Sequence, residues 1–261
     1  MRKFLSIANT AAFSITIIFN YLSNTGFFNG NTMSTVSDRY QNLFTPAGYA
    51  FSIWGLIYLG LLGFVVYQAR SIAKKTKSDD VVSQVGWWFV ISCAANSLWI
   101  LAWLYDLTGI SVVLMFILLF CLVKIILRTR MELDEVPVSK LAFLWWPFAF
   151  YSGWITVAAI ANVAAYLTKV GWDGFGLSGV TWALIMILVA GVVNVYITWK
   201  RNLREFALVG VWGLTAVAAA NWHKEQIVGH TAIAVSVIVL LSIGMHAYKN
   251  RKSIFNMLNP N

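Results

Sequence analysis

Asparagine and tryptophan occur together in two long apolar stretches of this 261-residue chain. Asn96 and Trp99 are three residues apart, and Trp154 and Asn162 are eight apart, so each pair lies near one face of a helix. A buried amide is costly unless it is hydrogen-bonded, whereas an indole ring offers a flat apolar surface with one N–H donor. These residues predict either hydrogen bonds that join helices or an aromatic pocket for an apolar ligand.

The sequence lacks the patterns of a catalytic centre or a metal site. All ten acidic residues fall in loops or at the ends of apolar stretches, which argues against a proton relay within a membrane. Lys124 is the one lysine inside an apolar stretch, and it lies close enough to the end for its side chain to reach the interface. The Cys and His residues have no metal-ligand spacing. We therefore predict no catalytic residue and no metal, and we favour a protein that is not an enzyme.

The composition is that of a membrane protein. Hydrophobic residues make up 59% of the chain and charged residues only 11%, whereas a typical soluble domain has about 25% charged residues. Crossing the ~30 Å of membrane hydrocarbon takes roughly 20 apolar residues in a helix. We predict an all-α, polytopic membrane protein with eight transmembrane helices, over residues 4–22, 48–69, 86–105, 108–127, 142–166, 178–199, 206–221 and 227–248.

The positive charges predict the orientation of these helices. With eight spans, 16 of the 19 Lys and Arg residues fall on the side of the N-terminus, and only Arg39, Lys169 and Lys224 fall on the other side. Because cytoplasmic loops are the basic ones, both termini are predicted to be cytoplasmic, in an integral protein of the bacterial inner membrane. The net charge of +9 then reflects orientation and attraction to the lipid bilayer, and it indicates no nucleic-acid partner.

The loop between the first two predicted helices leads into a recognisable stretch of sequence. Tyr40 and Leu43 precede Pro46, and the next helix carries Trp54 and Tyr58. This order resembles the TspO/MBR family, the tryptophan-rich sensory proteins or translocator proteins, which have Tyr-x-x-Leu, Pro-Pro-x-Trp and Trp-x-x-x-Tyr in this region. The chain departs from the pattern in two places: Thr45 replaces the first proline, and Tyr49 stands one position beyond the expected tryptophan.

Two further motifs follow in the order of the family. The third predicted helix contains Asn96 and Trp99, like the family's Asn-x-x-Trp, and the fifth contains Tyr151, Trp154 and Asn162 at the family's spacing. The resemblance covers about residues 5–166. It implies a TspO-like five-helix bundle over residues 1–166, followed by a three-helix transmembrane extension, residues 167–261, outside the family pattern.

The resemblance also implies a function. Family members bind hydrophobic small molecules in a cavity under the first outer loop, so we expect a receptor or carrier for a tetrapyrrole such as a porphyrin, a sterol or an isoprenoid. The loop around Pro46 would form the lid of this cavity. The candidate ligand-binding residues are Pro46, Tyr49, Trp54, Tyr58, Asn96, Trp99, Tyr151, Trp154, Ala158 and Asn162.

Alternatives to a simple binding protein stay open at this stage. The extra helices would suit a transporter or channel, and the family resemblance permits an enzyme that modifies a bound porphyrin-like ligand. Residues 167–261 would also suit a docking surface for a homodimer or a membrane partner.

The remaining tryptophans carry weaker signals. Trp212 to Asn221 echoes Trp154 to Asn162 with one residue more, which indicates either an internal repeat or a chance likeness between two helices rich in Ala and Val. Tryptophans near the ends of predicted helices are expected in the membrane interface. These are Trp87, Trp88, Trp145, Trp146, Trp199 and Trp222.

Overall fold

The computed structural model describes residues 2–73 and 81–250, and within these ranges the regular secondary structure is entirely helical. Each predicted apolar stretch lies mainly on one long helix. We number these helices in chain order: α1 Arg2–Leu22, α2 Ile53–Ala73, α3 Trp88–Leu104, α4 Thr108–Arg128, α5 Trp146–Lys169, α6 Gly179–Arg201, α7 Arg204–Asn221 and α8 Gln226–Lys249.

Six helical segments of the described chain are long and apolar enough to cross a membrane, which makes the protein an integral membrane protein. These segments are Arg2–Leu22, Gly48–Arg70, Thr108–Arg128, Val138–Lys169, Gly179–Arg201 and Gln226–Lys249. Helix α3, with 17 residues, is shorter than these segments, and α7, with 18 residues, is less apolar than they are. A full crossing by these two helices, and the cytoplasmic placement of the termini, stay predictions.

One end of the bundle carries the longest connection of the described chain. Residues 23–52 join α1 to α2 and contain the short helix Met33–Arg39 and the 3-10 turn Gly48–Ser52. Thr32 caps the short helix, because its hydroxyl accepts from the Thr35 N–H while the Thr35 hydroxyl accepts from the Thr32 N–H. We call this end the lid side, since the predicted lid lies there; the turns after α3, α5 and α7 lie at the same end.

The opposite end is built from shorter pieces. The short helix Val81–Val85 precedes α3, and a second short helix, Val138–Lys140, continues through a π-helical turn, Leu141–Trp145, into α5. Trp145, which we expected in the membrane interface, is instead fully buried in this turn. A π-turn inserts one extra residue per turn and rotates the side chains that follow it, so position along an apolar stretch does not determine which way they face.

Glycines allow close packing between the predicted five-helix bundle and the three helices that follow it. A Cβ atom on Gly153 of α5 would lie 2.7 Å from the Phe206 carbonyl oxygen of α7, and one on Gly213 of α7 would lie 2.8 Å from the Val157 side chain of α5. Real Cβ atoms do not approach that closely, so α5 and α7 depend on glycine for their contact. The helices after residue 167 therefore pack directly on the first five.

Candidate functional site

A small cavity lies under residues 40–52, which we call the lid loop. Its volume is about 50 Å³, and its walls come from the lid loop, the Met33–Arg39 helix, α2, α3 and α5. The lining residues are Met33, Ser37, Tyr40, Thr45, Pro46, Phe51, Trp54, Trp99, Trp103, Trp154, Val157, Ala158, Ala161, Asn162 and Ala165. We call it the aromatic cavity, because four tryptophans form much of its wall.

Trp54 is the centre of the aromatic cluster. Its ring centroid lies 6.5 Å from that of Trp99 and 6.4 Å from that of Trp154, and it stacks on Tyr58 at 5.3 Å. Trp99 continues the cluster by stacking on Trp103 at 6.3 Å. Aromatic pairs at these separations add about 0.5–1.5 kcal/mol each beyond their burial, so the wall is held by its own rings.

Asn162 closes the polar side of the cavity. Its Oδ1 accepts from the Trp99 indole N–H at 2.8 Å, and its Nδ2 donates to the Ser111 hydroxyl at 2.8 Å. One amide therefore joins α3, α4 and α5 and also lines the cavity. The two interpretations of this residue, helix joining and ligand contact, are compatible.

Asn96 makes a second junction below the first. Its Nδ2 donates to the Tyr151 hydroxyl at 2.7 Å, and its Oδ1 accepts from the Asn20 amide at 3.2 Å. The amide joins α1, α3 and α5 without reaching the cavity. Its contacts are those of a residue that joins helices.

One polar group of the wall has no partner. The Trp154 side chain is buried, and its indole N–H has no acceptor among the described residues. Buried donors are usually paired, because leaving one unpaired costs about 1–3 kcal/mol. An acceptor on a ligand in the aromatic cavity would recover this cost.

The predicted site residues fall into three groups. Six of them line the aromatic cavity: Pro46, Trp54, Trp99, Trp154, Ala158 and Asn162. Tyr58, Asn96 and Tyr151 form the layer beneath, where the Tyr151 ring lies 5.9 Å from that of Trp54. Tyr49 lies outside: its side chain is 48% exposed and packs on Trp212 with the ring centroids 5.3 Å apart.

Trp103 and Tyr40 are cavity residues that the motifs did not assign. Trp103 follows Trp99 by four residues, so helical spacing alone places both rings on one face of α3. Tyr40 belongs to the Tyr-x-x-Leu motif, but nothing in that motif indicates that its side chain reaches the cavity wall.

Helix α7 holds the lid loop from one side. The Ala47 N–H donates to the Ala216 carbonyl at 3.0 Å, the Trp212 indole donates to the Ala50 carbonyl at 3.1 Å, and the Asn221 amide donates to the Leu43 carbonyl at 2.9 Å. Trp212 and Asn221 are the two ends of the sequence echo. In the structure they anchor the lid instead of lining a second aromatic cavity.

Asp106 holds the other end of the lid loop. Its carboxylate accepts from the Tyr40 hydroxyl at 2.8 Å and lies 3.4 Å from the Lys169 ammonium and 3.6 Å from the Arg39 guanidinium. The Lys169 ammonium also donates to the Asp106 backbone carbonyl. These charges are partly exposed, so the hydrogen bond from Tyr40 contributes more than the ion pairs.

The aromatic cavity is closed in this structure. Pockets for small organic ligands usually measure about 300–1,000 Å³, whereas this one measures about 50 Å³. A ligand of tetrapyrrole size would need the lid loop to move, and this movement would break the hydrogen bonds that join the loop to α7 and to Asp106.

Comparison with known proteins identifies the family. A family model described as TSPO-like protein matches residues 6–245, which confirms the resemblance seen in the motifs. The match continues past residue 166 through α6, α7 and most of α8, beyond the stretch that the motifs cover. Searches of curated proteins and of solved structures gave no match. By its family match over most of its length and its apolar helices, the chain belongs to the TSPO-like family of membrane proteins.

Proposed function

We propose that the protein is a membrane receptor or carrier that binds a flat hydrophobic molecule of the tetrapyrrole, sterol or isoprenoid type in the aromatic cavity. One observation carries the proposal: four tryptophans and an unpaired, buried indole N–H line a cavity that a tethered loop closes. Membership of a family of membrane ligand-binding proteins supports it.

The arrangement suits recognition by stacking. A flat ring system would enter between the lid loop and α5, stack on Trp99 or Trp154, and present an acceptor to the Trp154 N–H. Such pockets bind mainly by apolar contact and use few polar groups for orientation. In this proposal residues 1–166 hold the ligand, and residues 167–261 hold the lid through α7.

Titration with protoporphyrin IX tests the proposal. The purified full-length chain should show saturable quenching of its tryptophan fluorescence, and Trp54→Ala should weaken binding because Trp54 touches four other rings. Trp146→Phe is the matched control, since Trp146 starts α5 at the end opposite the lid. Absence of saturable quenching with any tetrapyrrole, sterol or carotenoid would contradict the proposal.

Two further measurements test whether the protein carries its ligand across the membrane and how its termini are oriented. Flux of the ligand into liposomes that contain the protein separates a carrier from a receptor that only binds. Reporter fusions at each end of the chain test whether both termini lie in the cytoplasm of a bacterial cell. A terminus reported outside would contradict the orientation that the basic residues predict.

A further inference from the structure

A second and much larger cavity lies beside the first. Its volume is about 660 Å³, and it runs between α4, α5 and α6 on the other side of the lid loop from the aromatic cavity. We call it the lateral groove. This volume falls within the range of about 300–1,000 Å³ typical of small-molecule sites, with no movement of the protein.

The lateral groove is long and narrow. Its wall on α6 extends from Gly179 to Val193, which is roughly 21 Å at ~1.5 Å per residue. Its wall on α5 extends from Thr168 back to Thr156, near the middle of that helix. The groove therefore runs from the lid side to about mid-membrane, which is the depth of one lipid leaflet.

The walls of the groove are apolar and open towards the bilayer. Phe116 on α4 and Val189 on α6 line it and are 51% and 46% exposed. The hydroxyl hydrogens of Thr156 and Thr168 are used by backbone carbonyls of their own helix, those of Ser152 and Ala164. These walls favour hydrocarbon and leave no hydroxyl donor free for a polar ligand.

The lid-side end of the groove has a different character. Trp172 and Trp182 lie there with their ring centroids 5.1 Å apart. The Trp182 indole donates to the Gly174 carbonyl at 2.8 Å, whereas the half-buried Trp172 indole makes no hydrogen bond with a described residue. Paired tryptophans with an available donor are typical of the level of the lipid head groups.

We propose that the lateral groove binds one hydrocarbon chain of a phospholipid from the lid-side leaflet, with the ester region of that lipid at Trp172. The length of the groove, its apolar walls, its opening to the bilayer and its aromatic end together favour this occupant. The proposal does not depend on the ligand of the aromatic cavity.

The lid loop would contact the hydrocarbon chain of the lipid. Phe44, 3% exposed, faces the groove together with Asn42, whereas the next residues, Thr45 and Pro46, line the aromatic cavity. A chain in the groove would pack against Phe44 and support the lid loop from outside.

Native mass spectrometry of the full chain tests the proposal. Released from nanodiscs of palmitoyl-oleoyl phosphatidylcholine, the wild type should keep one phospholipid per chain. Ala164→Phe should reduce the retained lipid by about tenfold or more, because the new ring fills volume that the chain needs. Val192→Phe is the matched control: Val192 is an exposed α6 residue outside the groove.

Met186→Trp, on the facing wall of α6, is a second blocking variant in case Ala164→Phe does not fold. Equal phospholipid retention by the wild type and a folded blocking variant would overturn the proposal. So would retention of added oleic acid in place of phospholipid. Protoporphyrin quenching by Ala164→Phe should match that of the wild type, so a failure of the aromatic cavity to bind would be recognised separately.

Discussion

The aromatic cavity and the lateral groove share the lid loop and a wall of α5, yet they differ in almost every physical property. The first measures about 50 Å³ and is lined by tryptophans that contact each other. The second measures about 660 Å³ and is lined mainly by aliphatic side chains. The aromatic cavity must open to bind a large ligand, whereas the lateral groove already has the volume.

Helix α5 lies between the two cavities, and neighbouring residues of this helix face different cavities. Ala158 and Ala161 face the aromatic cavity, and Ile160 and Ala164 face the lateral groove. Small side chains leave room on both sides of one helix, so a single larger residue can fill one cavity and spare the other. We therefore expect each cavity to bind its ligand independently of the other.

The largest effect is expected from Ala161→Phe. The added ring would occupy the aromatic cavity, so protoporphyrin binding should weaken at least about tenfold, equivalent to about 1.4 kcal/mol. Phospholipid retention should stay at the wild-type level, because residue 161 does not line the lateral groove. Fluorescence titration and native mass spectrometry on the same preparation check both halves. A variant that lost both ligands would show that the cavities are not independent.

A comparison of Asn162→Ala with Asn96→Ala should give the next largest effect. Each change removes hydrogen bonds between helices, so each should lower the free energy of unfolding by about 1–2 kcal/mol. Only Asn162 lines the aromatic cavity, so only Asn162→Ala should also alter protoporphyrin affinity. Thermal unfolding in detergent and quenching titrations measure the two effects. Equal loss of affinity in both variants would mean that Asn162 acts only by joining helices.

The helices and most of the aromatic cavity were predictable, because both depend on local pattern. Apolar stretches located the eight long helices of the described residues, and the spacing of Trp99, Trp154 and Asn162 placed them on inward faces. The orientation of Tyr49 was not predictable. The 3-10 turn at Gly48–Ser52 directs its side chain onto Trp212, a contact between residues far apart in the chain.

The lateral groove could not be read from the sequence at all. Its walls come from three helices that carry no shared motif, and its volume depends on how far apart those helices stand. The role of α7 was also hidden, because Trp212 and Asn221 bind backbone carbonyls of the lid loop. Every residue has a backbone carbonyl, so the sequence does not indicate which residues of the lid loop accept these hydrogen bonds.

Loosening the lid should have a moderate effect on the aromatic cavity. Trp212→Phe removes the hydrogen bond to Ala50 and keeps an aromatic ring against Tyr49, so the closed lid should lose about 1 kcal/mol. That loss raises the open population by about fivefold. Stopped-flow quenching should show faster protoporphyrin association. Unchanged association would mean that the α7 contacts do not limit opening. Thr215→Ala, which alters a hydroxyl bonded within α7, is the control.

The smallest effect is expected at the end opposite the lid, where Glu132 lines neither cavity. Burial raises the pKa of Glu132 from 4.5 to about 7, the nearby Glu205 adds to the rise, and Arg204 opposes it.

Between pH 4.5 and about pH 7, Glu132 is protonated more in the folded chain than in the unfolded chain. The free energy of unfolding should therefore fall as the pH rises through this window. Glu132→Gln should remove that component of the pH dependence, and the exposed Glu135→Gln should leave it. Thermal unfolding at about pH 5 and about pH 8 measures the difference. Ligand affinities at both cavities should not change in either variant, and a shift in either affinity would show that this end of the bundle communicates with the lid.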